Sequence, residues 1–212
     1  MIHVGIADDH AIVREALATA ISRTHDMVVS AQARDGVEAV ETARSIEMDV
    51  LLLDLRMPRK SGLAALEEIM AQDSPPKVII FTSFDSAEEI NAAIDLGASG
   101  YLLKIARSKE ILDAIRSVHA GAIALGDTVA EKLITSSSPP PEISESFTLL
   151  TEREREVLGV LSDGLSNPEI AEKLGVSTGT AKTHVASIIR KLEAKSRTDA
   201  VVRAAQAGLL EI

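Results

Sequence analysis

Two periodicities divide the chain. Up to about residue 120, short apolar runs alternate with longer stretches in which apolar residues recur every three or four positions; after about residue 148 only the helical spacing remains. The short runs are His3–Ala7, Met27–Ala31, Val50–Leu53, Val78–Phe81 and Gly100–Leu103. Val50-Leu51-Leu52-Leu53 and Val78-Ile79-Ile80-Phe81 are continuous, the pattern of strands buried on both faces of a parallel sheet. Helical segments are predicted near 11–23, 36–46, 62–72, 86–96 and 108–119. Five such β-α repeats predict a doubly wound α/β fold, a five-stranded parallel sheet with right-handed crossovers.

The stretch Ser136-Ser137-Ser138-Pro139-Pro140-Pro141 separates the two patterns. Proline lacks the N–H that a sheet ladder needs and stiffens the chain, and serine is polar. The expected division is a domain at 1–120, a linker at 121–147 with a short helix near Thr128–Ile134, and an all-α domain of four helices at 148–212. The alternative, a surface loop within one domain, does not explain why the pattern changes across it.

In the second half, Thr151-Glu152-Arg153-Glu154 is a capping box, with Thr151 capping and Glu154 reaching back. The helix it opens carries Val157, Leu158 and Leu161 on one face. Asn167-Pro168 predicts a second start, with Asn167 as cap and proline in the first turn. Gly175-Val176-Ser177 makes a tight turn, and Ser177 caps a third helix whose stripe is Ala181, Val185, Ile188 and Leu192. The opposite side presents Gly179, Thr183, Ala186 and Arg190, with Lys182 on its flank. Helix, tight turn, helix is a geometry that enters the DNA major groove. A small bundle used for protein contacts fits the spacing equally well.

Charge helps to weigh these. The net charge of -10 argues at first against nucleic acid. From Lys173 to Arg203, however, the bases Lys173, Lys182, Arg190, Lys191, Lys195, Arg197 and Arg203 face only the acids Glu193 and Asp199. The chain has no cysteine, which excludes disulfides, thiolate metal sites and cysteine nucleophiles. Met1-Ile2-His3-Val4 lacks the basic and apolar regions of a signal peptide. No apolar run approaches the ~18 residues of a membrane span. The expectation is a cytoplasmic protein with no membrane association.

The candidate chemistry lies at the strand ends. In a doubly wound sheet, ligands bind beyond the carboxyl ends of the strands. Asp8 and Asp9 follow the first strand, Asp54 ends the third, Thr82 the fourth and Lys104 the fifth. Three close carboxylates repel one another, and a hard divalent cation with oxygen ligands, Mg²⁺ above all, relieves this. Asp54 is then a candidate nucleophile toward a phosphoryl group. Lys104 would stabilise its oxygens, and Thr82 would donate a hydroxyl to one of them. Singly, each residue has an ordinary reading as turn residue, strand former or solvated cation. Together, at the ends of different strands, they point to one site.

Asp8-Asp9-His10, Leu52-Leu53-Asp54-Leu55-Arg56-Met57-Pro58, Ser61-Gly62, Phe81-Thr82-Ser83 and Gly97-Ala98-Ser99-Gly100-Tyr101-Leu102-Leu103-Lys104 resemble the receiver domain of two-component response regulators, a flavodoxin-like fold. The resemblance implies Asp54 as phosphoacceptor. It implies Mg²⁺ held by Asp9, Asp54 and the backbone carbonyl of Arg56, with Asp8 assisting. Thr82 and Tyr101 would form a switch pair, beside the ordinary reading of Tyr101 as a half-buried ring with a wet hydroxyl. Ile105 stands where many receivers carry proline or aspartate after the lysine.

Leu150 to Leu158, Gly164 to Ala171, Val176-Ser177 and Thr180 to Val185, continued by Lys191-Leu192 and Ser196 to Val201, are similar to the LuxR-type helix-turn-helix. The whole chain thus resembles a NarL/FixJ-family response regulator. That implies a non-enzymatic transcription factor, phosphorylated by a sensor histidine kinase and binding promoter half-sites of double-stranded DNA as a homodimer. The DNA-contacting residues would be Ser177, Thr178, Thr180, Lys182, Thr183, His184, Ala186, Arg190, Lys191, Lys195 and Arg197. Ala181 and Ala186 depart from the common pattern, and His184 is read as a packing or phosphate-contact residue. Val201, Val202 and Ala205 are the dimerisation candidates. Two competitors stand beside this. An aspartate-based phosphohydrolase typically has a second Asp where this chain has Arg56, and has no use for residues 148–210. A phosphorylation-controlled adaptor would never touch DNA.

Overall fold

The structure is a computed structural model and describes residues 1–84, 86–126, 129, 150–206 and 210. The first half alternates strictly: β1 (Ile2–Ala7), α1 (Ala11–Ser22), β2 (Met27–Ala33), α2 (Gly36–Ser45), β3 (Val50–Leu53), α3 (Gly62–Met70), β4 (Lys77–Thr82), α4 (Ala87–Asp95), β5 (Gly100–Leu103) and α5 (Ser108–Ala120). A further strand, β6 (Ala124–Leu125), completes a parallel sheet of order β2-β1-β3-β4-β5-β6. The sheet therefore has six strands where the periodicity predicts five. β6 is two residues long and pairs with Gly100 and Tyr101. So short a segment carries no alternation that a sequence pattern can register.

The continuous apolar runs act as expected. In β3, Leu51 and Leu53 enter one core while Val50 and Leu52 enter the other; in β4, Val78 and Ile80 separate from Ile79 and Phe81 in the same way. The first core lies under α2, α3 and α4 and the second under α1 and α5. A fully buried Leu or Ile contributes roughly 1.5–3 kcal/mol, so a sheet buried on both faces is the main stabilising element of this half.

The second half is helical: α6 (Glu152–Ser162), α7 (Asn167–Leu174), α8 (Thr178–Lys191) and α9 (Arg197–Gln206). Thr151 caps α6 in the reciprocal box with Glu154, and Ser177 caps α8. The cap of α7 is Ser166, not Asn167, because Glu169 reaches back to the Ser166 amide at 2.7 Å and completes a second box. Val157, Leu161, Ile170, Ala181, Val185, Ile188 and Leu192 form the core. The halves touch: Val202 of α9 joins the apolar cluster that contains Ile90 and Ile94 of α4, and Ile123 packs on the helical core. The helix expected near Thr128–Ile134, apart from Val129, and most of the expected linker lie outside the described residues.

One glycine fixes the edge of the sheet. A Cβ on Gly62 would lie 2.0 Å from the Asp54 carbonyl oxygen and 2.6 Å from Leu55 Cα. Gly62→Ala is therefore expected to destabilise the protein by roughly 1–3 kcal/mol in urea unfolding. Gly159→Ala, on α6 with nothing within 4 Å of the added carbon, is expected to stabilise it by about 0.5–1 kcal/mol.

Candidate functional site

Parallel pairing of β1 with β3, β3 with β4 and β4 with β5 brings four carboxyl ends side by side. Backbone bonds carry the alignment past the strands: the Asp54 amide donates to the Ala7 carbonyl at 2.9 Å, and the Lys104 amide to the Thr82 carbonyl at 2.8 Å. Asp8, Asp9, Asp54, Thr82 and Lys104 thus gather at one edge, as their strand-end positions imply. Asp8 and Asp54 are buried, at 1% and 2% exposure, Thr82 is fully buried, and Asp9 is exposed.

Lys104 holds the site together. Its Nζ lies 2.7 Å from Asp8 Oδ2 and 2.7 Å from Asp54 Oδ2. Burial works against its charge, but its hydrogen bonds to Asp54 and Asp8 and their negative charges outweigh that and hold the ammonium above the ordinary lysine value. Asp54 Oδ1 is buried and accepts no hydrogen bond. A buried carboxylate oxygen left without a donor is costly, and a cation or a donor on a ligand would relieve it. Carboxylate and imidazole atoms of Asp8, Asp9, His10 and Asp54 all lie within 4.8 Å of one another. This acidic pocket is compatible with Mg²⁺.

His10 belongs to this pocket although the strand-end argument gave it no role. Its Nδ1 lies 2.7 Å from Asp9 Oδ1 and 3.2 Å from Asp8 Oδ1, and its amide donates to Asp8 at 2.9 Å. Its place directly after the acidic pair was the available signal. Tyr101 is fully buried, and its hydroxyl donates to the Phe84 carbonyl at 2.9 Å, so the reading of a half-buried ring with a wet hydroxyl does not describe this structure. The Phe84 amide in turn approaches Thr82 Oγ1 at 3.4 Å. Thr82 and Tyr101 are therefore joined through one loop residue.

On α8, the apolar stripe faces inward and the opposite side is open. Ser177, Thr178, Thr180, Lys182, Thr183, Ala186 and Arg190 are exposed, as is Lys195 beyond the helix, and His184 is half-buried. Two predicted contacts lie elsewhere. Lys191 Nζ pairs with buried Glu154 Oε2 at 2.7 Å. Arg197 donates to the Gly121 carbonyl and, at 2.7 Å, to the Leu165 carbonyl; burial pushes its guanidinium down to about 10, still protonated at neutral pH. Val201, Val202 and Ala205 are all buried within the chain, so this arrangement does not offer them to a second copy.

Comparisons with known proteins agree with both halves. Residues 4–116 match the response regulator receiver domain, and residues 148–204 match the bacterial regulatory proteins of the luxR family. The chain belongs to the LuxR-type response regulators. Members are DNA-binding transcriptional regulators of two-component systems rather than enzymes. The chain is 40% identical to the "Uncharacterized transcriptional regulatory protein YxjL" of Bacillus subtilis (strain 168), over 99% of this chain and 98% of that protein. It is 38% identical to the transcriptional regulatory protein LiaR of the same strain, over 96% and 97% of the two chains. Among solved structures, response regulator ChrA of a heme-sensing two-component system is 36% identical, covers 98% of each chain and superposes with a TM-score of 0.54.

Within this response regulator, Glu154 ties α6 to α8. It is buried and accepts hydrogen bonds from Thr151, from Ser187 Oγ at 2.8 Å and from Lys191. Burial alone would raise its carboxyl, but the bonds from Lys191, Thr151 and Ser187 prevail and lower it from 4.5 to about 2. A folded value below the unfolded one means stabilisation that is complete above roughly pH 5 and is lost as pH falls toward the folded value. Glu154→Gln is expected to cost about 2 kcal/mol at pH 7 in urea unfolding, with the difference vanishing near the pH where the parent carboxyl is itself protonated.

Proposed function

We propose that Asp54 is the phosphoacceptor of this response regulator and that its phosphorylation controls how α8 grips DNA. The observation that carries the reading is the buried Asp54 carboxylate, with one oxygen on Lys104 and the other accepting no hydrogen bond, in a pocket shared with Asp8 and Asp9. On this reading the chain works as two modules, 1–120 and 148–212, joined by 121–147, in the cytoplasm.

Asp54 attacks the phosphorus of a phosphohistidine on a sensor histidine kinase. An O–P bond forms, the P–N bond breaks, and the histidine nitrogen leaves with the electron pair. Lys104 balances charge on the phosphoryl oxygens, and Thr82 turns its hydroxyl to one of them. Mg²⁺, held by Asp9, Asp54 and the Arg56 carbonyl with Asp8 assisting, would supply neutralisation of carboxylate and phosphoryl charge. The added charge of about -1.5 to -2 is the signal, and Thr82, Phe84 and Tyr101 are the groups placed to sense it. A kinase also needs a docking surface. α1 leaves Ile12 76% exposed beside a groove lined by Val13, Ala16, Leu112 and Lys104, next to the acidic pocket.

The open side of α8 is the part that reads DNA. Lys182 and Thr183 face base edges or phosphates, with Ser177, Thr178, Thr180, His184 and Ala186 along the same surface, while Arg190 and Lys195 face phosphates. Two copies on two half-sites match the two-fold symmetry of such sites. A solved structure of RcsB dimers bound to DNA, 22% identical with a TM-score of 0.59, has the same fold.

Acetyl phosphate with Mg²⁺ is expected to load a labile acyl phosphate, and Asp54→Asn to abolish it; labelling that persists in the variant would place the acceptor elsewhere. In a gel shift with promoter DNA, Lys182→Ala is expected to weaken binding at every sequence and reduce the slope of log K against log salt by about 1. Lys191→Ala is expected to act through stability instead, lowering the urea midpoint because it removes the cation paired with buried Glu154. Phosphorylated protein that shifts no promoter fragment would favour the adaptor reading.

A further inference from the structure

Arg56 is largely exposed, yet its head group is engaged. Its Nη2 lies 2.6 Å from Glu89 Oε1, and its guanidinium carbon sits 4.5 Å from the centroid of the Phe84 ring. Glu89 stands in the first turn of α4 and is fixed further by Ser86, whose Oγ is 3.1 Å from Glu89 Oε2 and accepts from the Glu89 amide at 3.3 Å. Phe84 supplies the carbonyl that Tyr101 holds. One side chain two residues beyond Asp54 therefore clamps the phosphoacceptor loop to the start of α4 and to the loop joining Thr82 with Tyr101.

The clamp is built from a group that an incoming phosphoryl group also attracts. Arg56 is 61% exposed, so it is free to swing, whereas Glu89 is 19% exposed and held by Ser86. Guanidinium prefers a dianionic group with three acceptor oxygens to a single carboxylate, and it binds such groups in a fork. A phosphoryl group on Asp54 carries more charge than Glu89 and sits beside the residue's own loop.

We propose that Arg56 is a latch: Glu89 and Phe84 hold it while Asp54 is unmodified, and the phosphoryl group draws it away, releasing the start of α4 and the Phe84 loop. This rests on the reading of Asp54 as phosphoacceptor. Arg56 is then a positioning residue shared by two states. Glu89 competes with the phosphoryl group for it and so opposes activation.

The test is a double-mutant cycle on the full chain. Beryllium fluoride with Mg²⁺ serves as phosphoryl mimic. The readouts are fluorescence of Tyr101, the single tyrosine in a chain without tryptophan, and amide hydrogen exchange in α4. Both side-chain substitutions leave the Arg56 carbonyl in place. Glu89→Gln is expected to lower the beryllium fluoride midpoint about threefold, the scale of a partly exposed ion pair. In the Arg56→Ala background the same substitution is expected to shift nothing. Glu88→Gln, which removes an exposed charge from the same helical turn, is expected to leave the midpoint in place. A Glu89→Gln midpoint that stays unchanged, rises, or shifts equally in both backgrounds overturns the latch, as does an equal effect of Glu88→Gln. A parent protein that fails to respond to beryllium fluoride in either readout overturns the Asp54 reading, and the latch with it.

Discussion

The structure is organised around like charges forced together under cover. Two buried carboxylates, Asp8 and Asp54, share the ammonium of Lys104, and Asp9 adds a third negative charge at the rim. Side chains so placed repel one another unless a cation or a chemical change intervenes. What holds them there is the sheet. Four adjacent parallel strands end at one level, and each delivers its last or next residue to the same edge. Gly62 lets the chain return within contact of the Asp54 backbone, so Asp54 sits on a closely packed loop. The α/β core thus stabilises a pocket that its own carboxylates oppose.

That tension has a path outward. Thr82 and Tyr101 meet at the Phe84 loop, and Arg56 and Glu89 join the same loop to α4. α4 also lies against α9, whose Val202 is buried in the receiver's apolar cluster. α8 is not covered in the same way: its polar side is exposed. The receiver in this arrangement thus occupies the helix that carries the dimerisation candidates rather than the face that carries the DNA-reading candidates. Self-association through Val202 would require α9 to leave its seat against α4.

Much of this was legible because burial on two faces leaves a plain trace. Val50–Leu53 and Gly100–Leu103 were readable to the residue, and the strand-end acids followed from them. What escaped reading had causes of two kinds. β6 and the Ser166 cap are local events of one or two residues, where a competing choice, Asn167 before proline, looks as good on composition. The other misses are pairings. Lys191 and Arg197 read as surface cations because a sequence displays a charge without its partner; Glu154 and the Gly121 carbonyl lie far away in the chain. Arg56 and Glu89 are 33 positions apart, and no periodicity links them.

The overall acidity of the chain looks like an obstacle to the DNA reading, and the geometry answers it. At physiological salt, charges separated by more than about 8 Å are largely screened from one another. A helix with Lys182 and Arg190 on its open face therefore presents its own sign to a duplex whatever the distant receiver carries. Glu154, the acid buried closest to that helix, is neutralised by Lys191 and turned inward with Ser187, so it does not weaken the field on the exposed side. One domain thus concentrates negative charge in the pocket of Asp8, Asp9 and Asp54, and the other keeps a positive face clear of it. The chain as a whole stays acidic, which disfavours indiscriminate binding to nucleic acid and leaves attraction to DNA confined to one surface.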